Sequence, residues 1–305
     1  MRNVVLIFPG QGSQSVGMGK DIYDRFDYVR EMFKTASNVI GVDMEEIIFR
    51  SSEDTLKDTY NAQPSIFLIS ACMLEVIKRE IKDMNIIAVA GHSLGEYSAL
   101  YSSGVFSFED GVKIVRKRGE LMSKADPEGK GGMAAVIGLA PEKIKEICDK
   151  LTDQGKYVEP VNYNAPDQTV ISGYRSAIQE ATELLKSAGA KRVIELAVSG
   201  AFHSKLMEAP AKEFRKFLET INLSSPSIPV IANYNAKPYP SSKEEMLDIT
   251  EKQMYSPVLW TSIVEYIKSL NPDLVIEVGP GQVLKGLVKK TVPEINVSTF
   301  SELTF

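Results

Sequence analysis

The chain has 305 residues, of which 44% are apolar and 25% charged, so a disordered, collagen-like or coiled-coil protein is excluded. Its 35 basic and 40 acidic residues give a net charge of −5, which has the wrong sign for a dedicated nucleic-acid-binding protein. The two cysteines, Cys72 and Cys148, are far apart and form no CxxC pattern, so neither a disulfide framework nor a cysteine zinc site is predicted.

Short apolar runs that end in glycine or polar residues predict the strands of a parallel sheet. Residues 4–8, 86–90 and 273–278 form three such runs. Residues 62–82 have the apolar spacing of a helix, with Pro64 in the first turn. Strands that alternate with helices predict an α/β fold with helices on both faces of the sheet.

The lengths of the apolar runs also predict the cellular location. Residues 4–8 are too few for the apolar part of a signal peptide, and no run reaches the 18 residues of a membrane helix. A cytoplasmic protein that contacts no membrane is therefore expected.

The middle of the chain predicts a second, smaller unit. Its predicted elements follow the order βαββαβ of a ferredoxin-like domain, with strands at 133–139, 157–163, 169–172 and 192–198 and helices at 141–151 and 176–188. The glycine-rich residues 126–132 are a predicted hinge. The sequence therefore predicts a small subdomain at 130–198, inserted into a catalytic domain formed by residues 1–129 and 199–305.

Gly91, Ser93 and Gly95 form the pattern GxSxG between a predicted strand and a predicted helix. This is the pattern of a nucleophile elbow, a sharp turn that exposes the serine hydroxyl at a helix N-terminus. The backbone N–H of Leu94 would there be able to stabilise an oxyanion. The alternative is a tight turn in which the serine only caps the helix.

A serine nucleophile needs a general base, and the chain has two histidines. His92 adjoins Ser93, and neighbouring side chains diverge at a sharp turn, so His203 is the predicted base. Glu208 and Glu277 are possible partners of its imidazole, but the spacing selects neither. A backbone carbonyl would serve equally well.

Arg118 lies on the apolar side of the predicted helix 109–124, whereas Arg116 and Lys117 lie on the opposite side. A guanidinium in that position needs an anion or a solvated cleft. It forms either an internal salt bridge or a bidentate pair with a substrate carboxylate. The second alternative predicts that the acyl group is a dicarboxylic half-thioester.

The loop at residues 9–14 follows the first strand and contains two glycines. It matches neither the dinucleotide motif GxGxxG nor a P-loop. The backbone N–H of Gln11 is a possible second oxyanion donor beside Ser93.

Several motifs together resemble those of the malonyl-CoA:acyl-carrier-protein transacylases, a family related to the acyltransferases of polyketide synthases. The resemblance extends over nearly the whole chain, and the matching segments are 8–14, 91–96, 118–119, 132–135, 161–164 and 277–281. It implies an α/β-hydrolase-like core with a ferredoxin-like insertion, in agreement with the predicted elements.

The resemblance also implies roles for individual residues. It implies Ser93 as the nucleophile, His203 as its base and Arg118 as the group that binds the malonyl carboxylate. Further roles follow for the oxyanion donors Gln11 and Leu94, for Gln253, whose main-chain carbonyl orients the histidine, and for the substrate-binding residues Phe202 and Met133. Ala201-Phe202 before the histidine is similar to the pairing in malonyl-selective polyketide acyltransferases, and Phe202 would crowd a 2-methyl branch.

The activity implied by the resemblance is a ping-pong transfer of malonate from malonyl-CoA to the phosphopantetheine thiol of acyl carrier protein, for fatty-acid elongation. No metal and no other cofactor is expected, and a monomer is expected. One alternative is a stand-alone acyltransferase that serves a polyketide synthase. Others are a serine thioesterase or hydrolase and an inactive carrier-docking module.

An acidic carrier protein would need basic residues on this chain for docking. The predicted docking charges are Lys113, Arg116, Lys117, Lys285, Lys289 and Lys290. For each residue the alternative is an ordinary solvated surface charge.

Overall fold

The computed structural model describes residues 1–126 and 128–304. Pro127, which belongs to the predicted hinge, and Phe305 lie outside the described residues. The strands within the described residues are β1 (Arg2–Phe8), β2 (Met84–Gly91), β3 (Gly131–Ile137), β4 (Val158–Ala165), β5 (Gln168–Tyr174), β6 (Arg192–Glu195), β7 (Val230–Ile231), β8 (Leu274–Glu277) and β9 (Val297–Thr299).

The α-helices flank these strands along the chain. They are α1 (Lys20–Arg25), α2 (Asp27–Ile40), α3 (Glu53–Lys57), α4 (Thr59–Glu80), α5 (Gly95–Ser102), α6 (Phe108–Lys124), α7 (Pro141–Asp153), α8 (Arg175–Ser187), α9 (Glu208–Glu219), α10 (Lys243–Tyr255), α11 (Trp260–Ser269) and α12 (Val283–Thr291). A π-helical turn at Glu46–Arg50 and 3₁₀ turns at Lys205–Met207 and Phe300–Glu302 complete the helical structure of the described residues.

The larger sheet is parallel, with the strand order β7-β2-β1-β8-β9. The central strand β1 is apolar from Val4 to Phe8 and fully buried there, because helices cover both faces of the sheet. The three strands predicted from apolar runs are β1, β2 and β8. The predicted α/β fold class is confirmed.

The smaller sheet is antiparallel, with the order β4-β5-β3-β6. Helices α7 and α8 pack on it through their apolar faces and form a core of their own. The chain order β3-α7-β4-β5-α8-β6 is the predicted βαββαβ order. The division of the chain at residues 129/130 and 198/199 stays a prediction.

Helix α4 differs from its predicted bounds. It begins at Thr59 instead of residue 62, so Pro64 lies in the second turn rather than the first. Proline has no N–H to donate to the carbonyl four residues earlier, which is that of Tyr60. The Arg116 guanidinium donates to this carbonyl oxygen at 2.9 Å and lies over the Tyr60 ring, which satisfies the orphaned acceptor.

The segment between α10 and α11 ties the two sheets together. The Val258 N–H donates to the carbonyl of Val161 at 2.7 Å, and the Tyr163 N–H donates to the carbonyl of Val258 at 3.0 Å. The next residue, Leu259, donates its N–H to the carbonyl of Asn233 just after β7 at 2.9 Å, so the bridge connects β4 to the larger sheet. None of the described helices combines the length and the apolar character that a membrane span requires.

Each of the predicted docking charges has a partner within the chain. Asp110, Glu120, Glu302 and Asp167 pair with Lys113, Lys117, Lys285 and Lys290, and backbone carbonyls accept from Arg116 and Lys289. Their role in docking stays a prediction.

Candidate active site

Ser93 lies two residues after the end of β2 and has a φ of +51°, in the left-handed region that residues with a side chain rarely adopt. The turn is possible because two glycines let the backbone come close. A Cβ on Gly91 would lie 2.0 Å from the carbonyl of Gly95, and one on Gly95 would lie 2.0 Å from the carbonyl of Phe8. Strand, strained serine and helix α5 therefore have the form of a nucleophile elbow.

His203 lies in the segment that returns from the smaller sheet, with 2% of its surface exposed and a φ of +61°. Its Nε2 is 2.7 Å from Ser93 Oγ, and its Nδ1 is 2.9 Å from the main-chain carbonyl oxygen of Gln253. A carbonyl can only accept, so Nδ1 carries the proton and Nε2 can accept the proton of the serine hydroxyl.

Burial, with smaller contributions from Arg118 and His92, lowers the pKa of His203 to about 3. The imidazole is therefore neutral near pH 7 and able to act as a base.

His92 does not contact the Ser93 hydroxyl. Its Nε2 is 2.7 Å from Asn164 Oδ1, and its ring packs edge-on against Trp260. Of the two carboxylates considered for orienting the base, Glu277 accepts from the backbone N–H groups of Leu284 and Lys285 at the start of α12. Neither Glu277 nor Glu208 is hydrogen-bonded to His203. The partner of the imidazole Nδ1 is the main-chain carbonyl of Gln253, the third possibility that the sequence had left open.

Arg118 is 1% exposed and lies beside Ser93. Its Nη1 donates to Gln63 Oε1 at 2.9 Å, and its Nη2 donates to Gln253 Oε1 at 3.1 Å and to Ser93 Oγ at 3.3 Å. Among the described residues every hydrogen-bond acceptor of this guanidinium is an uncharged oxygen. The internal salt bridge considered as an alternative is absent from that part of the chain, and the positive charge remains available to a ligand.

The backbone donors near Ser93 differ in availability. The Ser93 N–H donates to Asn233 Oδ1 at 2.7 Å. The N–H groups of Gln11 and Leu94 have no hydrogen-bond partner among the described residues, and both residues line the cavity that contains Ser93. The side chain of Gln11 donates to Thr59 Oγ1 at 3.1 Å, which holds its loop against α4.

These groups surround a cavity of about 310 Å³ between the two sheets. Ser93, His203 and Arg118 line it, as do Gln11 and Leu94. Its apolar wall includes Met133 and Phe202, together with Met122, Leu196 and Val198. The described residues contain no cluster of three or more histidine, cysteine, aspartate or glutamate side chains suited to a metal ion.

Sequence reasoning missed a buried network beneath the elbow. Asn233 accepts from the Ser93 N–H and donates through Nδ2 to the carbonyl of Gly91 at 2.6 Å. Its own N–H donates to Glu96 at 2.5 Å, and the Tyr239 hydroxyl donates to the same carboxyl group. Burial raises the pKa of Glu96 to about 7. The end of the apolar run before Asn233 was a signal that could have identified β7.

Gln253 does more than the sequence predicted. Besides its main-chain carbonyl, its side chain contacts the site, because Nε2 donates to the carbonyl of Ser93 at 2.8 Å and Oε1 accepts from Arg118. One residue of α10 thus contacts all three predicted active-site groups.

Residues 5–303 match the family model of the acyl transferase domain. The chain belongs to the acyl transferase family. The resemblance drawn from its motifs is confirmed by relatives described as malonyl CoA-acyl carrier protein transacylases. The one from Staphylococcus aureus strain MRSA252 is 42% identical over 99% of this chain and 97% of its own length. The one from Bacillus subtilis strain 168 is 41% identical over 95% of this chain and 90% of its own length.

Solved structures agree with the fold of this acyl transferase. An acyl carrier protein S-malonyltransferase from Vibrio cholerae has a TM-score of 0.93 and 38% identity, covering 97% of this chain and 96% of its own. A malonyl transacylase in complex with a type II PKS acyl-carrier protein has a TM-score of 0.94 and 38% identity, covering 97% of this chain and 95% of its own.

Proposed function

We propose that this acyl transferase moves the malonyl group of malonyl-CoA to the phosphopantetheine thiol of acyl carrier protein and so supplies fatty-acid elongation. The observation that carries the proposal is the position of Ser93 Oγ, 2.7 Å from the neutral base His203 and 3.3 Å from the unneutralised guanidinium of Arg118. The names of the relatives and the solved complex with a carrier protein support the same activity.

In the first half-reaction Ser93 Oγ attacks the thioester carbonyl and its proton moves to Nε2 of His203. The N–H groups of Gln11 and Leu94 donate to the oxyanion of the tetrahedral intermediate. The intermediate collapses with cleavage of the carbon–sulfur bond, and the proton on Nε2 passes to the departing thiolate of coenzyme A. Malonyl-serine remains, and His203 is again neutral.

Arg118 binds the free carboxylate of the malonyl group. In malonate a single methylene separates this carboxylate from the acyl carbon, so a malonyl group on Ser93 has its charge within reach of a guanidinium 3.3 Å from the serine oxygen. A charge-assisted pair in a site closed to bulk water is strong. An acetyl group has no carboxylate to pair with, so Arg118 would discriminate between the two.

In the second half-reaction the carrier thiol donates its proton to His203 Nε2 and attacks the malonyl-serine carbonyl. Collapse of the intermediate releases malonyl-carrier protein and returns the proton to Ser93. The carrier reaction must outpace attack by water, and the apolar wall that includes Met133 and Phe202 limits water access. Phe202 also narrows the space beside the methylene, which favours malonyl over methylmalonyl.

No metal or prosthetic group takes part in these steps, because a base, two backbone donors and a cation account for every proton and charge. Acyl carrier protein is the expected partner. A carrier of a polyketide synthase is the second candidate, since one similar structure is a complex of that kind. A thioesterase for monocarboxylic acyl groups would have no substrate carboxylate for Arg118 to bind. The cytoplasmic location and the monomeric state stay predictions.

Intact-mass analysis tests the proposed function directly. The protein is mixed with malonyl-CoA, and holo acyl carrier protein is then added. We expect a malonyl adduct on the enzyme that disappears as malonyl-carrier protein forms, and no adduct on Ser93→Ala. Free malonate in place of malonyl-carrier protein would identify a hydrolase, and an adduct on Ser93→Ala would overturn the assignment of the nucleophile.

A further inference from the structure

Asn162 lines the same cavity and has no part in the steps above. It lies on β4 with 9% of its surface exposed. Its Oδ1 is completely buried and has no hydrogen-bond partner among the described residues. Buried side-chain amides in folded proteins are almost always hydrogen-bonded, so an amide left unpaired beside a cavity indicates a ligand.

The backbone of Asn162 is held firmly, so the free amide is not the result of a loose loop. Asn162 pairs with Val258 in the bridge between the two sheets, and the neighbouring residues Val161 and Tyr163 make the hydrogen bonds of this bridge at 2.7 and 3.0 Å. Asn164 on the same strand has its Oδ1 engaged by His92 at 2.7 Å. Of these two asparagines in β4, only Asn162 has a side-chain Oδ1 without a hydrogen-bond partner among the described residues.

The rest of the cavity indicates which part of a ligand Asn162 meets. Arg118 and the Gln11 and Leu94 N–H groups account for the charged and reacting atoms of a malonyl thioester. The remaining wall is largely apolar, with Met133 and Phe202 among its residues. It suits a flexible, uncharged chain that carries isolated polar groups. Because Oδ1 has no accessible surface, the polar group that Asn162 can offer a ligand is Nδ2, a donor that complements the C=O of a secondary amide.

We propose that Asn162 binds a secondary amide of the pantetheine arm, the segment that coenzyme A and the carrier protein have in common. This inference rests on the proposed function, since that function brings the arm into the cavity twice. One residue then aligns the thioester of the donor and the thiol of the acceptor with Ser93. A phosphate group would instead require a cation, which Asn162 does not provide.

The test compares Asn162→Ala with the unchanged enzyme on thioesters of decreasing arm length. Acylation of Ser93 is followed by intact mass with malonyl-CoA, with malonyl-N-acetylcysteamine, which keeps one amide, and with S-ethyl malonyl thioester, which keeps none. We expect kcat/KM for malonyl-CoA and for holo carrier protein each to fall about tenfold or more. With the S-ethyl thioester the two enzymes should react equally, within about twofold.

Asn162→Leu serves as the size-matched variant, because it keeps a similar volume, removes the N–H donor and adds no charge. It should also lose activity with malonyl-CoA and not with the S-ethyl thioester. Binding of coenzyme A to the Ser93→Ala protein, measured by calorimetry, gives a readout independent of turnover. Addition of Asn162→Ala should weaken that binding by the same factor.

Equal losses on all three thioesters, or unchanged binding of coenzyme A, would overturn the role of Asn162 and leave the proposed function intact. An unchanged enzyme that forms no malonyl adduct at all would overturn the proposed function itself. Thermal unfolding of each variant guards against misfolding. Asn162→Ala should unfold at or above the temperature of the unchanged enzyme, because it removes an unpaired buried amide.

Discussion

Two buried or partly buried arginines of this protein have opposite electrostatic surroundings. Arg215 is on α9, and 19% of its side chain is exposed. Its guanidinium is paired with four carboxylates of α9 and α10, those of Glu219, Glu244, Asp248 and Glu251. Arg118 is far more buried, and all its hydrogen-bond acceptors among the described residues are neutral oxygens. The first guanidinium is neutralised by its own chain and joins two helices. The second forms no salt bridge within the described residues, as expected if its charge serves a ligand.

The difference has an energetic meaning. A buried charge that lacks an ionic partner costs stability, because its hydration is lost and no Coulomb attraction replaces it. Folded proteins retain such a charge where a function depends on it. Arg118 therefore marks the reaction site more clearly than any surface ion pair does.

The largest expected difference between the two arginines is in the rate of acyl transfer after each is replaced by methionine. Arg118→Met should lower kcat/KM for malonyl transfer about 100-fold or more, since truncating one partner of a buried charge pair costs about 3 kcal/mol. Acetyl transfer by the same variant should change little. Arg215→Met should leave both reactions unchanged. The measurement is initial-rate kinetics with malonyl-CoA and acetyl-CoA, and equal losses for both acyl groups would make Arg118 structural.

The contribution of His203 to the free energy of unfolding should depend on pH in a way that reports the charge of Arg118. The pKa of His203 is about 3 in the folded state and near 6.5 in an unfolded chain. Its contribution to stability is thus complete above pH 6.5 and is lost as the pH falls toward 3. Between pH 6 and 4 the unchanged protein should lose about 1.4 kcal/mol per pH unit more than His203→Gln.

Urea unfolding at a series of pH values measures this slope. Because Arg118 is one of the causes that lower the pKa of His203, Arg118→Met should raise that pKa and flatten the slope. Arg215→Met should not. Identical slopes in the unchanged protein and His203→Gln would contradict a neutral, buried imidazole.

The smallest effect concerns stability at neutral pH. Arg215→Met should lower the free energy of unfolding by about 1 kcal/mol at low salt and by less at 1 M NaCl, because its partners are largely exposed and screened. Arg118→Met should be as stable as the unchanged protein or more stable, since it removes a buried charge without an ionic partner. The free energies of unfolding of both variants are measured by denaturant titration at two salt concentrations. A more destabilised Arg118→Met would contradict the idea that its charge is reserved for a ligand.

Residue chemistry alone was enough to select Ser93, His203 and Arg118 as candidate reacting groups. The glycine spacing around Ser93 and the position of Arg118 on an apolar helix face follow from local sequence, and His203 follows from the small number of histidines in the whole chain. The structure brings these three residues together, with Oγ of Ser93 2.7 Å from His203 and 3.3 Å from Arg118. Chemistry that depends on unusual residue types at fixed local spacings is visible before folding is known.

The supporting residues could not be found in that way. Asn233 and Gln63 contact Ser93 and Arg118 from 140 and 55 positions away in the chain, and no local pattern encodes such a distance. Gln253 was reached only through the family resemblance, because any residue has a main-chain carbonyl. Strand β9 has three residues, too few for a hydrophobic period to be recognised.

Ser93 and His203 share a backbone feature with a chemical consequence. Both have positive φ angles, +51° and +61°. In that region a branch at Cβ collides with the main chain, so threonine is a poor substitute for Ser93 although its hydroxyl has similar reactivity. Cysteine has no such branch and fits the same turn. The proposed covalent intermediate on Ser93 is an oxygen ester. Cysteine in the same turn would form a thioester instead, whereas the turn disfavours the secondary alcohol of threonine.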